Sequence, residues 1–467
     1  MQRILREGAI AGGQVSLEGG CRYYGRSPDR RFPSGTPAGD EFARRVTPGA
    51  TVSQADVRSR STSRRDRLAA LLAVLTVIAT IGQLPSATAE TGGAGEVEAA
   101  PVVSNTPFDR QGMWVWYVER SNGGSVSAIV AQAKRAGIGT VYIKAGDGGS
   151  IWSQFSTALV QALHRGGLDV CAWQFVYGDS PVAEARVGAA AVEKGADCLV
   201  IDAEGDYEGK YAAADLYIRT LRARIGETFP LSLAAFPYVD YHPSFPYSVF
   251  FGPGGATYDQ PQMYWKAIGT SVRAVYEHSY LYNRLWGHPI YPIGQTYEGP
   301  SKTALKLFRR FAASYGDLAP SWWSWQETSG KEWGALGASS ASRALTGYRQ
   351  NLEHPLLKRG SKGDLVVWAQ ERLVGAGQDV PVTGVFGKLT AAAVRSFQVA
   401  QGLPADGQIG TGTWQSLLDF TPYRMRWSGS RARLRVGASS SRAQPPSRPL
   451  SASLPSKSYE IDPGPAP

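Results

Sequence analysis

Across residues 107–345 the chain alternates short runs rich in β-branched and aromatic residues with amphipathic, helix-like stretches, and this alternation restricts the fold more than any other feature. Eight such runs are legible, at 113–118, 140–145, 169–177, 198–203, 231–236, 260–265, 289–294 and 322–326. Helical periodicity fills the early gaps, at 125–136, 152–165, 181–194 and 211–225. Eight units of this kind predict an α/β fold of the (β/α)8 TIM-like barrel type rather than an open doubly wound sheet. The fifth return, at 243–251, is rich in Pro and Phe and departs from the helical pattern.

In such barrels chemistry gathers at the carboxyl ends of the strands. The fourth run, in Asp197-Cys-Leu-Val-Ile-Asp-Ala-Glu-Gly205, ends in two carboxylates at positions i and i+2, which share one face of a strand. An apolar strand does not end in two such groups on one face unless they are paired, hydrated or chemically employed. Paired carboxylates are the tools of glycoside hydrolysis. Asp147, Tyr177, Gln262, Tyr264 and Gln326 stand at other strand ends, with Trp173 and Trp325 among the aromatics crowding the same rim. Indole faces beside amides and carboxylates suit sugar rings, which stack on one surface and hydrogen-bond through another; the alternative is that these side chains pack the barrel mouth.

The chain has 467 residues and a net charge of +10. The excess sits on the flanks: residues 1–89 and 422–467 each carry +6, so the middle is slightly acidic. A nucleic-acid partner, which needs a basic face on a folded module, is not expected. An apolar stretch over 68–81 follows Arg64, Arg65 and Arg67 and precedes Ala87-Thr-Ala89, the layout of a signal peptide over 68–89. It is shorter than the ~20 residues of a spanning helix, so no stable membrane insertion is expected after cleavage, with a signal-anchor as the alternative. Residues 1–67 read as disordered, or as sequence ahead of a later start. Cys171 and Cys198 each sit in an apolar strand-like run, which predicts two buried free thiols. No His or Cys stands at metal spacing, so neither a metal nor another cofactor is expected, and a zinc amidase lacks its ligands.

A composition shift near 354–363 opens a module over 355–421 that contains a repeat. Thr383-Gly-Val-Phe-Gly387 with Thr390 is followed by Asp406-Gly-Gln-Ile-Gly410 with Thr413, each a Gly turn leading into a helix. Three short helices around one core result, and residues 422–467, rich in Ser, Pro and Arg, read as a disordered tail. Through Leu356-Lys-Arg-Gly-Ser-Lys-Gly-Asp-Leu365, Ala369-Gln370, Gly384-Val-Phe-Gly387, Phe397-Gln398 and Asp406-Gly407, this module resembles the peptidoglycan-binding domain of bacterial wall-lytic enzymes. Thr383 stands where that family usually has Asp.

The barrel is similar to glycoside hydrolase family 25 lysozymes in Tyr142-Ile-Lys-Ala-Gly-Asp-Gly148, Ile201-Asp-Ala-Glu204, Gln262-Met-Tyr264 and Trp325-Gln326. The family's first strand carries an Asp where this chain reads Gly112-Met113-Trp114. The resemblance implies Glu204 as acid and Asp202 as its partner. A separate protein nucleophile or base would be Asp147, with Asp240 and Glu327 in reserve; the amide of an N-acetylated sugar can serve instead. Tyr264, Gln262, Trp325, Gln326, Trp173 and Tyr177 are expected around the substrate. Together these features predict a secreted or wall-associated hydrolase of peptidoglycan or a related wall glycan, with a flexibly tethered module holding it near substrate. A carbohydrate-binding barrel without turnover is the alternative.

Overall fold

The computed structural model describes residues 106–316, 319–337, 343–351 and 353–428. The expected leader over 1–67, the signal over 68–89 and the tail beyond 428 lie outside the described residues. Eight strands make the frame: β1 (Gly112–Val115), β2 (Thr140–Asp147), β4 (Asp169–Val176), β5 (Cys198–Ala203), β6 (Leu231–Ala235), β7 (Tyr258–Pro261), β8 (Ile293–Gln295) and β9 (Ser321–Trp323). A short β3 (Ser150–Ile151) folds back antiparallel on β2. The order is β7-β6-β5-β4-β2-β1-β9-β8, with every neighbouring pair parallel. Two isolated parallel bridges, Asp259 to Ile290 and Gln262 to Ile293, join the remaining gap. The fold is thus an α/β barrel of eight parallel strands with helices outside, carrying a small helical module after it.

Strand alternation separates two apolar layers. In β5, Leu199, Ile201 and Ala203 join the large core beneath the outer helices. Cys198 and Val200 join a second cluster inside the barrel with Trp114, Tyr142, Trp173 and Ile293. The next inward position on β5 is Asp202. The late strands are shorter than their sequence pattern, and Pro289 and Pro292, which lack an N–H for a ladder, keep the approach to β8 irregular. Likewise the run expected over 322–326 ends as strand at Trp323 and continues as a 3-10 turn over Trp325–Glu327.

The expectation of free thiols is overturned. Cys171 and Cys198 stand opposite one another in the β4 and β5 register and form a disulfide inside the barrel. Each thiol was legible as buried, but the register that makes them neighbours is a long-range property. Closing a 27-residue separation constrains the unfolded chain, so replacing both cysteines by Ser should cost about 2–4 kcal/mol, read as a lower melting temperature in the absence of reductant.

The irregular fifth return holds only a five-residue helix, Tyr247–Phe251. Against it packs the first helix of the C-terminal module, Asp364–Gly375. The contact is specific. Both oxygens of Asp364 accept from Ser248, one from the backbone N–H at 2.8 Å and one from the hydroxyl at 2.6 Å. Burial pushes the Asp364 carboxyl up to about 7. The Trp368 indole donates to the Leu285 carbonyl at 2.7 Å and meets Trp286 edge-on. Gly363 has φ +113°, and a Cβ there would stand 2.7 Å from the Pro243 carbonyl oxygen, so only glycine lets the module approach this closely. The module is therefore docked on the barrel rather than joined to it as a free tether. The first residues of the expected disordered tail take part, because Trp427 packs on Tyr211 of the barrel and Val367 of the module.

The repeat within the module has a hydrogen-bond basis. Gln370 accepts from the N–H groups of Thr383 and Gly384 and donates to the Thr390 hydroxyl. One repeat later, Gln398 accepts from the Gly407 N–H and donates to the Thr413 hydroxyl. Asp406 caps its turn by accepting from the Gln408 N–H at 2.9 Å, and the Thr383 hydroxyl does the same for Val385 at 3.2 Å. Thr at the first turn preserves the geometry that Asp gives the second.

Candidate functional site

At the carboxyl end of β5 the two acidic side chains converge. The side-chain amide of Gln262, just past β7, donates to Asp202 Oδ1 at 3.1 Å and to Glu204 Oε1 at 3.0 Å. A single NH2 group thus reaches both carboxyls. Asp202 is only 7% exposed, while Glu204 is partly open to solvent. Burial holds the Asp202 carboxyl well above the usual range, and the negative charge of Glu204 adds to the effect. Glu204 is also pushed up, first by burial, against the opposing hydrogen bond from Gln262; Asp206 adds to the rise, and His242 and Lys144 oppose it.

These shifts fix a sign for stability. A carboxyl whose folded-state pKa is raised binds protons more tightly folded than unfolded, so folding stability falls as pH climbs through the raised value. Replacing Glu204 or Asp202 by its amide should raise the melting temperature by a few degrees at about pH 8, with the gain vanishing below about pH 3, where the carboxyls are protonated in both states.

Neighbouring residues were only partly foreseen. Lys144 faces the barrel interior by alternation with Tyr142, and in the β2 and β4 pairing the register shifts between Lys144 and Gly146, a bulge that turns Asp147 to the same side. The Lys144 ammonium bonds Asp147 Oδ2 at 2.7 Å, and the Tyr177 hydroxyl donates to Asp147 Oδ1 at 2.7 Å. Both Asp147 oxygens are thereby engaged. Three indoles surround the ammonium, with ring centres 4.7 Å away for Trp116 and Trp152 and 4.8 Å for Trp173. Trp116, against the Lys144 ammonium, is 37% exposed. Lys144 was missed although alternation from Tyr142 aims it inward, whereas the bulge that brings Asp147 to the same side has no sequence signature here.

The remaining expected residues divide. Tyr264 is buried in the inner cluster, edge-on to Tyr297. Trp173 is buried as well and donates to the Val115 carbonyl. Gln326 accepts from the Trp116 N–H and donates to the Tyr117 carbonyl and the Ser121 hydroxyl, so its amide holds the loop after β1. Trp325 donates to Asn122 and packs edge-on against Trp333. These two secure the mouth rather than line it. Asp240 pairs with His278, and Glu327 accepts from Ser324. Among the described residues no cluster of His, Cys, Asp or Glu could hold a metal ion, and no helix is long and apolar enough to cross a membrane.

Residues 362–417 match the family described as "Putative peptidoglycan binding domain". A relative from Kitasatospora aureofaciens, an uncharacterized protein in the bpoA1 3' region, is 38% identical over 87 residues, which are 18% of this chain and 70% of the relative. The chain belongs to that protein's family. Among solved structures, a peptidoglycan-binding protein from Clostridioides difficile, in complex with glutamine hydroxamate, is 41% identical. The match covers 14% of this chain and 40% of that one, at a TM-score of 0.13. A β-mannanase from Streptomyces thermolilacinus is 16% identical over 51% of this chain and 93% of its own, at a TM-score of 0.38. The C-terminal module is a peptidoglycan-binding domain.

Proposed function

We propose that the protein is a secreted glycoside hydrolase that cuts the glycan strands of peptidoglycan, with the C-terminal domain supplying wall affinity. The observation that carries this reading is the Gln262 amide gathering Asp202 and Glu204 at the carboxyl end of β5. Glycoside cleavage needs a proton for the leaving oxygen and an anion or internal nucleophile for the positive charge at the anomeric carbon. Glu204, partly open and pushed above the usual carboxyl range by burial, is suited to the role of proton donor. With both Asp147 oxygens engaged by Lys144 and Tyr177, the nucleophile is assigned to the sugar's own N-acetyl group, which Asp202 orients from its buried position.

Export is supported by the disulfide, since such bonds persist in oxidising compartments outside the cytosol. The likeness to family 25 lysozymes rests on Ile201-Asp-Ala-Glu204 and its companion motifs, and the mechanism departs from a two-carboxylate scheme because β1 offers no Asp. Trp114 instead fills the interior at that level, stacked on Tyr142 at 4.9 Å. That plug is also what favours the second reading, a barrel that binds wall glycan without turnover. Soluble oligosaccharides separate the two. An N-acetylated oligomer should be cleaved with retention of anomeric configuration, followed by proton NMR, while its N-deacetylated counterpart should resist; inversion, or equal cleavage of both, contradicts the assigned mechanism, and no cleavage of either favours the binder.

A further inference from the structure

The turn after β6 runs from the carboxyl pair to the C-terminal domain. It begins at Phe236, whose ring lies 4.0 Å from where a side chain on Gly205, the residue after Glu204, would start. His242 stacks on that ring, 3.5 Å between centres and 7° from parallel, and is held by Glu208 at 2.8 Å. The next residue, Pro243, accepts through its carbonyl from the Asp364 N–H at 2.7 Å, at the start of the first helix of the peptidoglycan-binding domain. Residues 236–243 thus touch the candidate site at one end and the wall-binding domain at the other. Between those ends stands Tyr241, 61% exposed. Its ring is nonetheless fixed, meeting Tyr238 and His278 nearly at right angles with centres 5.4 Å away in both cases. His278 in turn stacks on Tyr238 at 4.0 Å and bonds Asp240 at 2.7 Å.

We propose that residues 236–243 form a track that carries one glycan strand of the wall from the carboxyl pair to the docked domain, with Tyr241 as the residue on which a sugar ring stacks. The occupant follows from the two ends, a carboxyl pair suited to glycosides and a domain of the peptidoglycan-binding family. A ring already held in place loses little freedom when a ligand settles on it. Its open surface suits the C–H face of a sugar, and the exposed Asp240 beside it can accept from hydroxyls. The proposal rests on the hydrolase reading for what happens at the Glu204 end, but the hold of Tyr241 on the strand does not require turnover. Docking then does more than keep the enzyme near the wall, because it places the domain against the same loop that holds the substrate.

The test uses the full chain with 13C-labelled tyrosine rings and Glu204→Gln, which keeps the ligand intact, the Tyr241 signals being assigned by their loss in Tyr241→Phe. A hexamer of β-1,4-linked N-acetylglucosamine should move those signals along a saturable curve. Signals that stay put overturn the proposal. With Glu204 restored, Tyr241→Ala should raise KM for the hexamer about five- to tenfold and leave kcat within about twofold, while Tyr241→Phe, which keeps the ring, behaves as wild type. A KM unchanged in Tyr241→Ala, or a loss confined to kcat, overturns it as well. Turnover by the wild type with unmoved Tyr241 signals removes the track and leaves the hydrolase reading standing. Signals that move in a chain whose wild type shows no turnover do the reverse, keeping the track and removing the hydrolase.

Discussion

Replacing Glu204 by Gln should lower kcat on peptidoglycan by about 10²–10⁴-fold, the usual contribution of a positioned proton donor, while sedimentation with insoluble wall stays at the wild-type level. The amide keeps the size of the side chain and can still meet the Gln262 amide by turning its carbonyl oxygen toward it, so the loss is chemical rather than structural. Wall binding persists because the peptidoglycan-binding domain at 362–417 is distant in sequence and its own hydrogen-bond frame through Gln370 and Gln398 is untouched. The same variant should be more stable than wild type at neutral pH, since it removes a carboxyl whose ionised form burial disfavours. Lower activity with higher stability marks a catalytic group and separates it from a packing residue, whose loss lowers both.

Replacing Trp368 by Ala should destabilise the barrel, not only the module. Trp368 is 1% exposed, sits edge-on to Trp286 at 5.3 Å and donates to the Leu285 carbonyl, both on the barrel. Truncating a buried Trp costs about 3–5 kcal/mol, more than a tethered module could transmit to its neighbour. Barrel aromatics reported by near-ultraviolet circular dichroism should then melt several degrees lower, together with the module. Two separate transitions with the barrel's unchanged would contradict docking. Removing residues 355–421 altogether should act in the same direction, because it uncovers Tyr211, Leu285 and Trp286 beside the five-residue helix at 247–251. Losses of activity on soluble and insoluble substrate would then both follow, the first from the barrel and the second from wall affinity.

What could be read from the chain alone was set by local physics. The run Cys198–Ala203 alternates between two buried layers and ends at the first polar inward position, so its limits and its closing carboxyls were legible. The three helices of the module and their Gly turns followed from a repeated pattern, and even the Thr383 departure proved to preserve the turn. Properties that depend on register or on contact between distant segments were not legible. The Cys171 and Cys198 disulfide needs the β4 and β5 register, and the position of Asp147 on the same side as Lys144 needs a bulge. The roles of Gln326 and Trp325 in bracing the first loop depend on the meeting of β1 and β9, more than two hundred residues apart in sequence. Docking of the module was hidden for the same reason, and the Pro- and Phe-rich fifth return was its trace: a weak helix that another part of the chain covers.

The central claim is that the carboxyl pair at the mouth of this barrel breaks glycosidic bonds in the wall. The most direct measurement is the release of new reducing ends from purified peptidoglycan by the full chain, with the fragments identified by mass spectrometry after borohydride reduction. The account predicts muropeptide-bearing glycan fragments with a reduced N-acetylated hexosamine at the newly formed end, absent with Glu204→Gln. Peptidoglycan that is bound but yields no new reducing ends, or that is opened only at its peptide stems, would contradict it.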